Sequence, residues 1–347
     1  MVGSVKLSIC IATYNRGLFI AETLDSILMQ MTDEVELVVV DGASPDNTQD
    51  VMAEYMKKHP AIRYYREEVN SGVDQDYDKA VGYAKGKYCW LMPDDDLLCP
   101  NAIERVLKAI ANDVDLVVVN ADVRDADVNM LLNPSRLNFY EDKVYGKGDK
   151  ERLYIDVADH LSFIGGTVVK KGYWLSRDRV SYYGSLFIHM GVLFQTPAVE
   201  RAYVIAEPLI KIRYGNAMWS PRGFEIWMFM WPQLIWSFSD FSDKAKQRVC
   251  AFEPWRKFKK LLSYRATGCY TLSEYRQLSV KSIDVFSKCL MYLISVAPVA
   301  MMNFFAMLFY LTRKEENKMG LYSALRSQNK RTGLMRWLSS WLMRRVL

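Results

Sequence analysis

The sequence predicts an α/β protein with a mostly parallel, doubly wound sheet, followed by a helical C-terminal region. Three observations lead there. From Leu7 to Leu98, short apolar runs alternate with stretches of helical periodicity, the pattern of strand–helix–strand units. Each run stops at polar or acidic residues, at Thr13, Asp41, Asn70-Ser71-Gly72 and Asp94, and parallel strands gather such ends on one edge. After Pro221 the chain changes to Trp- and Met-rich stretches of helical spacing.

The elements follow in order. Leu7 to Ala12 is the first strand, and Thr13-Tyr14-Asn15-Arg16-Gly17 is the turn after it. A helix from about Leu18 to Gln30 presents Ile20, Leu24, Ile27 and Leu28 on one face. Val35 to Val40 is a second buried strand, ending in Asp41-Gly42-Ala43-Ser44, with a helix from about Gln49 to Lys58 behind it. Ile62 to Tyr65 is a third strand leading to Asn70-Ser71-Gly72, and a helix around Tyr77 to Ala84 returns to Tyr88–Met92. That fourth strand is wholly apolar and is stopped by Pro93, which cannot donate to a continuing ladder. Asn101 to Ala111 is another helix and Leu116 to Asn120 another strand, after which Ala121 to Lys150 reads as an excursion. Gly165-Gly166 precedes a strand-like Thr167-Val168-Val169, His189 sits in an apolar helical run, and Ala202 to Tyr214 reads as a strand pair. The predicted division is a first domain at 1–220 and a helical region at 221–347.

Half of the 347 residues are hydrophobic, ample for a core. The six cysteines show no Cys-x-x-Cys spacing and two lie within strands, which reads as buried thiols in a reducing compartment. The N-terminus enters a strand almost at once, without the pattern of a signal peptide. From Arg313 onward nine Lys/Arg face two Asp/Glu, a net of +7, leaving −2 for residues 1–312. A nucleic-acid-binding protein spreads basic residues through its main domain, so this distribution excludes that class and points to an anionic membrane surface. The charge-free stretch Leu290–Leu311, within the apolar segment 290–311, is long enough to span a bilayer. Pro298 and Asn303 interrupt it, and fit a re-entrant hairpin equally well. In the tail 320–347, Leu334, Trp337, Leu338, Trp341 and Leu342 line one face among arginines, as in an interfacial helix or one packed on the protein's own core.

The chemistry centres on Asp94-Asp95-Asp96 at the end of the fourth strand. Three adjacent carboxylates repel, and a cation offsets them; hard oxygens suit Mg²⁺ or Mn²⁺, ions that commonly hold a diphosphate. The alternative is a solvated acidic turn before the helix near Asn101. No Gly-x-Gly-x-x-Gly follows the first strand, which counts against a dinucleotide site.

With Ile11-Ala12-Thr13-Tyr14-Asn15-Arg16, Val40-Asp41-Gly42-Ala43-Ser44, Asn70-Ser71-Gly72 and Gly86-Lys87-Tyr88 leading to the acidic triplet, the N-terminal half resembles a glycosyltransferase family 2 domain of the Rossmann-like GT-A fold. It is more closely similar to the bacterial O-antigen and lipopolysaccharide sugar transferases, abequosyltransferases among them, firmly to about Asn120 and more thinly to Trp219. The resemblance implies a metal-dependent, inverting transfer from a nucleotide-sugar to an undecaprenyl-diphosphate-linked saccharide, at the cytoplasmic face of the inner membrane. It also implies donor-side roles for Thr13, Tyr14, Asn15, Arg16, Asp41, Ser44, Gly72, Asp74 and Asp76. Asp94 would hold the ribose, Asp95 the metal, and Asp96 would help as a ligand or cap the next helix. Arg213, Asn216 and Trp219 fall on the acceptor side. Pro93 stands where the family's Asp-x-Asp has its first Asp. The family's Glu-Asp pair is missing between Gly165 and Ala198, and His189 occupies its place as base, metal ligand or core residue, with His160 as a rival. Transfer to a polyprenyl phosphate and a non-enzymatic membrane-tethered scaffold are the alternative functions.

Overall fold

The structure, a computed structural model, describes residues 4–216, 220–278, 283–313 and 317–327. The chain forms two compact units that interleave along the sequence. The first takes the residues up to Val123, Pro134–Arg213 and Ser237–Val249; the second takes Arg124–Asn133, Tyr214–Trp236 and the chain from Cys250 onward. The expected single boundary at 220/221 is thereby corrected. The physical reason lies in long-range hydrogen bonds: Asp240 accepts from Ala198 N–H at 2.9 Å and Ser242 N–H donates to Glu151 at 3.1 Å, returning residues after Trp236 to the first unit.

The first unit contains β1 (Leu7–Thr13), α1 (Ile20–Leu28), β2 (Val35–Asp41), α2 (Thr48–Lys58), β3 (Ile62–Arg66), α3 (Val73–Tyr83), β4 (Tyr88–Met92), β5 (Leu97–Leu98), α4 (Ala102–Ile110) and β6 (Leu116–Arg124, to Val123). The strand β7 (Leu131–Asn133) belongs to the second unit. After it come β8 (Lys143–Tyr145), α5 (Lys150–Val157), β9 (Thr167–Lys170), α6 (Lys171–Leu175), α7 (Ile188–Phe194) and β10 (Ala202–Arg213). The main sheet runs β3-β2-β1-β4-β9-β6-β10-β5. Its first four strands are parallel, and β9 runs antiparallel to both β4 and β6. The sheet is therefore mixed rather than mostly parallel throughout. Ala202–Arg213 is one continuous strand and not a pair; it joins β8 at Ala202–Val204 and β5 at Ile210–Lys211.

All seven residues of β1 and of β2 are buried, which explains their mainly apolar character: both faces of this sheet are covered, and the Ser8 hydroxyl donates to Glu36 within it. The core layer draws Ile9, Ile11, Leu37, Val39, Trp90 and Met92 from the strands and Ile20, Leu24, Ile27 and Met52 from α1 and α2. The order β2-β1-β4 makes β1/β4 the point where the chain reverses its direction of winding, and open α/β sheets bind ligands at such a point. In register, Thr13 pairs with Asp41 and Ile11 with Met92, so the ends of β1, β2 and β4 lie together.

The second unit is helical, with α8 (Gly223–Glu225), a π-helical run (Ile226–Met230) and α9 (Trp231–Ser237) before the first unit's α10 (Asp243–Val249). Then follow α11 (Phe258–Thr267), α12 (Leu272–Gln277), α13 (Val285–Val296), α14 (Val299–Leu311) and α15 (Lys318–Arg326). Among the described residues no single helix is long and apolar enough to cross a membrane. The stretch 290–311 is broken: α13 and α14 bend by 100° between Val296 and Val299. Pro298 lacks the amide a continuing helix requires. The Ile294 carbonyl that this amide would have served accepts from Ala297 N–H at 3.3 Å, and the Ala297 carbonyl at the bend accepts from Arg265 Nε at 2.7 Å. Asn303 is buried, and its amide donates to the Ala266 and Ala324 carbonyls at 3.2 and 3.1 Å, tying α14 to the end of α11 and to α15. The interfacial helix expected around Leu334–Leu342 lies outside the described residues.

Candidate active site

The loop after β1 is fastened to the loop after β2 by side chains of the latter. Asn15 N–H donates to Ser44 Oγ at 2.9 Å, Arg16 N–H to Thr48 Oγ1 at 3.0 Å and Gly17 N–H to Asp46 Oδ2 at 2.9 Å. Asn15 and Ala43 take φ of 58° and 62°, the left-handed region that side chains seldom adopt, so the cross-loop bonds hold both turns open. Tyr14 is half-buried and Asn15 exposed at this edge.

Asp41 is wholly buried and already engaged. Its Oδ1 accepts from Ser44 N–H at 2.8 Å, and its Oδ2 from the Tyr64 hydroxyl at 2.6 Å and Arg66 Nη1 at 2.9 Å. Sequence reasoning missed Tyr64 and Arg66, although the parallel register sets Arg66 beside Asp41. Ser44 likewise serves the scaffold, since its carbonyl accepts from Arg66 Nη2 at 2.9 Å.

The three aspartates of α3 diverge. Asp74 is buried, and its carboxylate accepts from Leu186 N–H at 2.8 Å and Ile188 N–H at 3.1 Å, so it anchors the entry to α7 rather than standing open to a donor. Asp78 accepts from Trp174 Nε1 at 2.8 Å and the Tyr183 hydroxyl at 2.5 Å, and pairs with Arg179 at 2.9 Å. Asp76 points at β2: a Cβ on Gly42 would fall 2.6 Å from its Oδ2. Ser71 donates to Asp76 at 3.0 Å, while burial pushes its carboxyl up to about 6. Gly72, at φ 91° with open space beside it, supplies the backbone conformation before α3.

The acidic turn divides its carboxylates between two arginines. Arg16 Nε lies 3.4 Å from Asp94 Oδ1 and its Nη2 3.4 Å from Asp95 Oδ2. Asp96 turns the other way, accepting from Arg213 N–H at 2.7 Å, so it does not join Asp95 as a ligand. Arg213 Nε donates to the Asp95 carbonyl at 2.9 Å, and its Nη2 meets Glu22 at 2.6 Å. Arg213 is thus a buried clamp behind the turn rather than an acceptor-side group, because β10 ends where β4's turn needs a partner. Burial, and then the like charge of Asp95, push Asp94 up to about 7 despite Arg16, and raise Asp96 as well. Pro93 packs on Gly165, where a Cβ would lie 2.9 Å from the ring, and Trp90 Nε1 donates to the Gly165 carbonyl at 2.8 Å.

Among the described residues no three His, Cys, Asp or Glu side chains converge on a metal position. Asp94 and Asp95 both face the Arg16 guanidinium and are hard oxygen donors. Such a pair fits Mg²⁺ or Mn²⁺, which are held by one or two carboxylates when substrate phosphates complete the shell.

His189 is corrected as the expected base. It is 1% exposed, its Nε2–H donates to the Leu161 carbonyl at 2.6 Å, and burial pushes it down to about 4. His160 repeats the arrangement with Val119 at 2.9 Å, pushed down to about 3 by burial and then Arg136. An apolar helix hides a histidine as readily as it hides leucine once one nitrogen finds a carbonyl. Asn216 lies in the second unit, half-buried, and Trp219 lies outside the described residues.

Comparison with known proteins adds to this geometry. Residues 8–166 match the family described as glycosyl transferase family 2. The abequosyltransferase RfbV of Salmonella typhimurium is 27% identical over 231 residues, 62% of this chain and 69% of that protein. S. aureus TarS 1-349 in complex with UDP-GlcNAc shares the fold at TM-score 0.54 and 17% identity, over 92% of this chain and 90% of that one. The mannosyltransferase PcManGT from Pyrobaculum calidifontis, in complex with GDP-Man and Mn²⁺, does so at TM-score 0.53 and 15% identity, over 92% and 85%.

Two outcomes test the assignments above. Asp76 has a raised folded pKa, so its contribution to stability is present below about pH 4 and is lost as pH rises through about 6. Melting temperatures measured from pH 4 to 8 are expected to fall for wild type relative to Asp76→Asn across that window; parallel curves contradict the assignment. His189→Gln keeps a donor for Leu161, and is expected to retain turnover within about threefold, whereas loss of a general base costs roughly 10²–10⁴-fold. A folded variant with unchanged donor affinity and a hundredfold lower turnover would restore His189 as the base.

Proposed function

We propose that this chain, whose residues 8–166 match glycosyl transferase family 2, is an inverting glycosyltransferase. It moves a sugar from a nucleotide-sugar donor to a lipid-linked saccharide in surface-polysaccharide assembly. The observation that carries this reading is the Asp94–Asp95 pair turned toward a single cation at the β1/β4 reversal, beside the loops that Thr13 and Asp41 begin. The complexes of the fold relatives with UDP-GlcNAc, and with GDP-Man and Mn²⁺, support a nucleotide-sugar and a divalent metal here. Asp95 with Asp94 would hold Mg²⁺ or Mn²⁺, which neutralises charge developing on the departing nucleoside diphosphate. This chain's part is to fix the turn: Arg213 holds the Asp95 carbonyl and Asp96, and Tyr77 donates to the Met92 carbonyl at 3.1 Å beneath it.

A lipid-linked acceptor and an anionic membrane surface are supported by the second unit. Phe286 is 77% exposed on α13, as are Leu293 (59%) on α13 and Phe305 (57%) on α14. Single exposed apolar residues are ordinary, but Val285, Tyr292, Val296, Met301, Leu308 and Phe309 are exposed on the same two helices. Lys259 Nζ and the Arg313 guanidinium each lie 5.4 Å from the Phe309 ring centre, setting cations beside apolar surface as an interfacial segment does. We read α13 and α14 as resting in one leaflet at the cytoplasmic face of the inner membrane, with the bend at Pro298 keeping them from spanning it.

Two experiments check this. In a thermal-shift panel, UDP, GDP or CDP with Mn²⁺ is expected to raise the melting temperature of the full chain, and Asp95→Ala to abolish the rise and most turnover. No Mn²⁺-dependent shift with any nucleotide removes the donor and metal assignment. Phe286→Asp with Leu293→Asp is expected to weaken co-sedimentation with anionic vesicles at least about tenfold, each exposed apolar side chain being worth about 1.5–3 kcal/mol when buried. Wild-type binding by that variant, at unchanged nucleotide affinity, refutes the membrane seat alone.

A further inference from the structure

We propose that Arg136 is an acceptor-binding residue, its guanidinium taking a phosphate oxygen of the diphosphate that joins the acceptor's saccharide to its lipid. The inference rests on the reading of a lipid-linked acceptor and adds a residue that neither the family match nor the relatives assign.

Arg136 lies in the stretch after β6 that the sequence reads as an excursion, yet its backbone returns to the sheet. Its N–H donates to the Ala121 carbonyl of β6 at 2.9 Å. In register, Trp90, Val168 and Val117 form one row across β4, β9 and β6, and β9 runs antiparallel to both neighbours. Beyond that row β4 and β6 therefore leave at the same edge, β4 into the acidic turn and β6 toward Ala121. Two strand spacings of about 4.8 Å set the backbone of Arg136 about 10 Å along this edge from the turn. The loops after β1 and β2, which the donor reading assigns to the nucleotide, flank the turn on its other side. An anion at Arg136 is thereby the acceptor's.

The guanidinium is half-buried, and among the described residues no carboxylate forms an ion pair with it. Its contacts are with neutral oxygens: Nη2 donates to the Asp159 carbonyl at 3.3 Å and to Ser162 Oγ at 3.2 Å. These two oxygens already serve each other, since the Ser162 hydroxyl donates to the Asp159 carbonyl at 2.7 Å. Burial pushes the guanidinium below its usual range, and Asp159 and then Asp96 offset this only in part. Elsewhere in the unit Arg66 is met by Asp41 at 2.9 Å, Arg179 by Asp78 at 2.9 Å and Arg213 by Glu22 at 2.6 Å. A guanidinium stays charged and has only donors, so burying one without an anion costs stability that an anionic ligand restores. Its planar fork suits the paired oxygens of a phosphate.

The test compares the full-length wild type, Arg136→Met and Arg136→Lys by calorimetry. The probes are geranyl diphosphate and uncharged geraniol, both in EDTA so that no metal is held at Asp94 and Asp95, and UDP, GDP or CDP at saturating Mn²⁺. Arg136→Met is expected to bind geranyl diphosphate about tenfold to a hundredfold more weakly, the range for hydrogen bonds to a charged group. Its affinity for geraniol and for the nucleoside diphosphates is expected to stay within about twofold, with a melting temperature equal to wild type or higher. Arg136→Lys, which keeps the charge and loses the fork, is expected between the two. The proposal is overturned if wild type binds geranyl diphosphate no better than geraniol, or if Arg136→Met binds it as wild type does. An equal loss for the nucleoside diphosphates moves Arg136 to the donor and also overturns it. A variant that unfolds, or loses every ligand as its melting temperature falls, shows a structural role and does the same. If wild type binds no nucleoside diphosphate with Mn²⁺, the glycosyltransferase reading fails, whatever geranyl diphosphate does.

Discussion

Three consecutive carboxylates at the end of a buried strand cannot all keep their charge without partners, and the first unit is arranged around supplying them. Asp94 and Asp95 take Arg16 from the loop after β1, and Asp96 takes the amide of Arg213 from the end of β10. Each partner is itself fastened. Arg16 is positioned by Thr48 at the start of α2, and Arg213 by Glu22 of α1. One electrostatic problem therefore joins the ends of β1, β4 and β10 and fixes the floor of the candidate site. Burial and mutual repulsion still leave Asp94 and Asp96 with raised pKa values, so the site retains an appetite for positive charge.

A second set of buried carboxylates shapes the wall. In Val73-Asp74-Gln75-Asp76-Tyr77-Asp78 the acidic residues alternate, and on a helix Asp74 and Asp78 share a face that Asp76 leaves. The shared face grips the segment before α7 through Leu186 and Ile188 amides, Trp174, Tyr183 and Arg179. Asp76 packs against Gly42, which explains why the turn after Asp41 has no side chain there. These carboxylates hold polypeptide where the sequence invited a role in holding ligand.

The second unit shows the same economy of polar groups in an apolar setting. Asn303, an interruption in an otherwise hydrophobic run, is buried and cross-links three helical segments; Pro298 breaks the run, and Arg265 donates to the Ala297 carbonyl at the bend. A straight span would bury every backbone group within itself. The bend instead turns one apolar face of each helix outward, with Lys259 and Arg313 near Phe309.

What the sequence determined by itself was the parallel half of the sheet and the edge on which function gathers. Local signals suffice there: mainly apolar runs at β1, β2 and β4 stop at Thr13, Asp41 and Pro93, and a parallel sheet aligns such ends. The tertiary structure decided which polar groups serve the scaffold. Asp41, Asp74, Asp96, Arg213 and His189 carry the residue types of a site, and the sequence does not disclose whether a buried charge is met by ligand or by chain. That depends on partners 23 to 117 residues away, such as Tyr64, Leu186, Leu161 and each other. In the antiparallel half the strands themselves were legible at Thr167–Val169 and Ala202–Tyr214, but their direction and partners were not, because these are set by pairing across the sheet and not by local pattern. A carboxylate's chemistry is fixed by its side chain, but its role is fixed by which donors folding brings within about 3 Å.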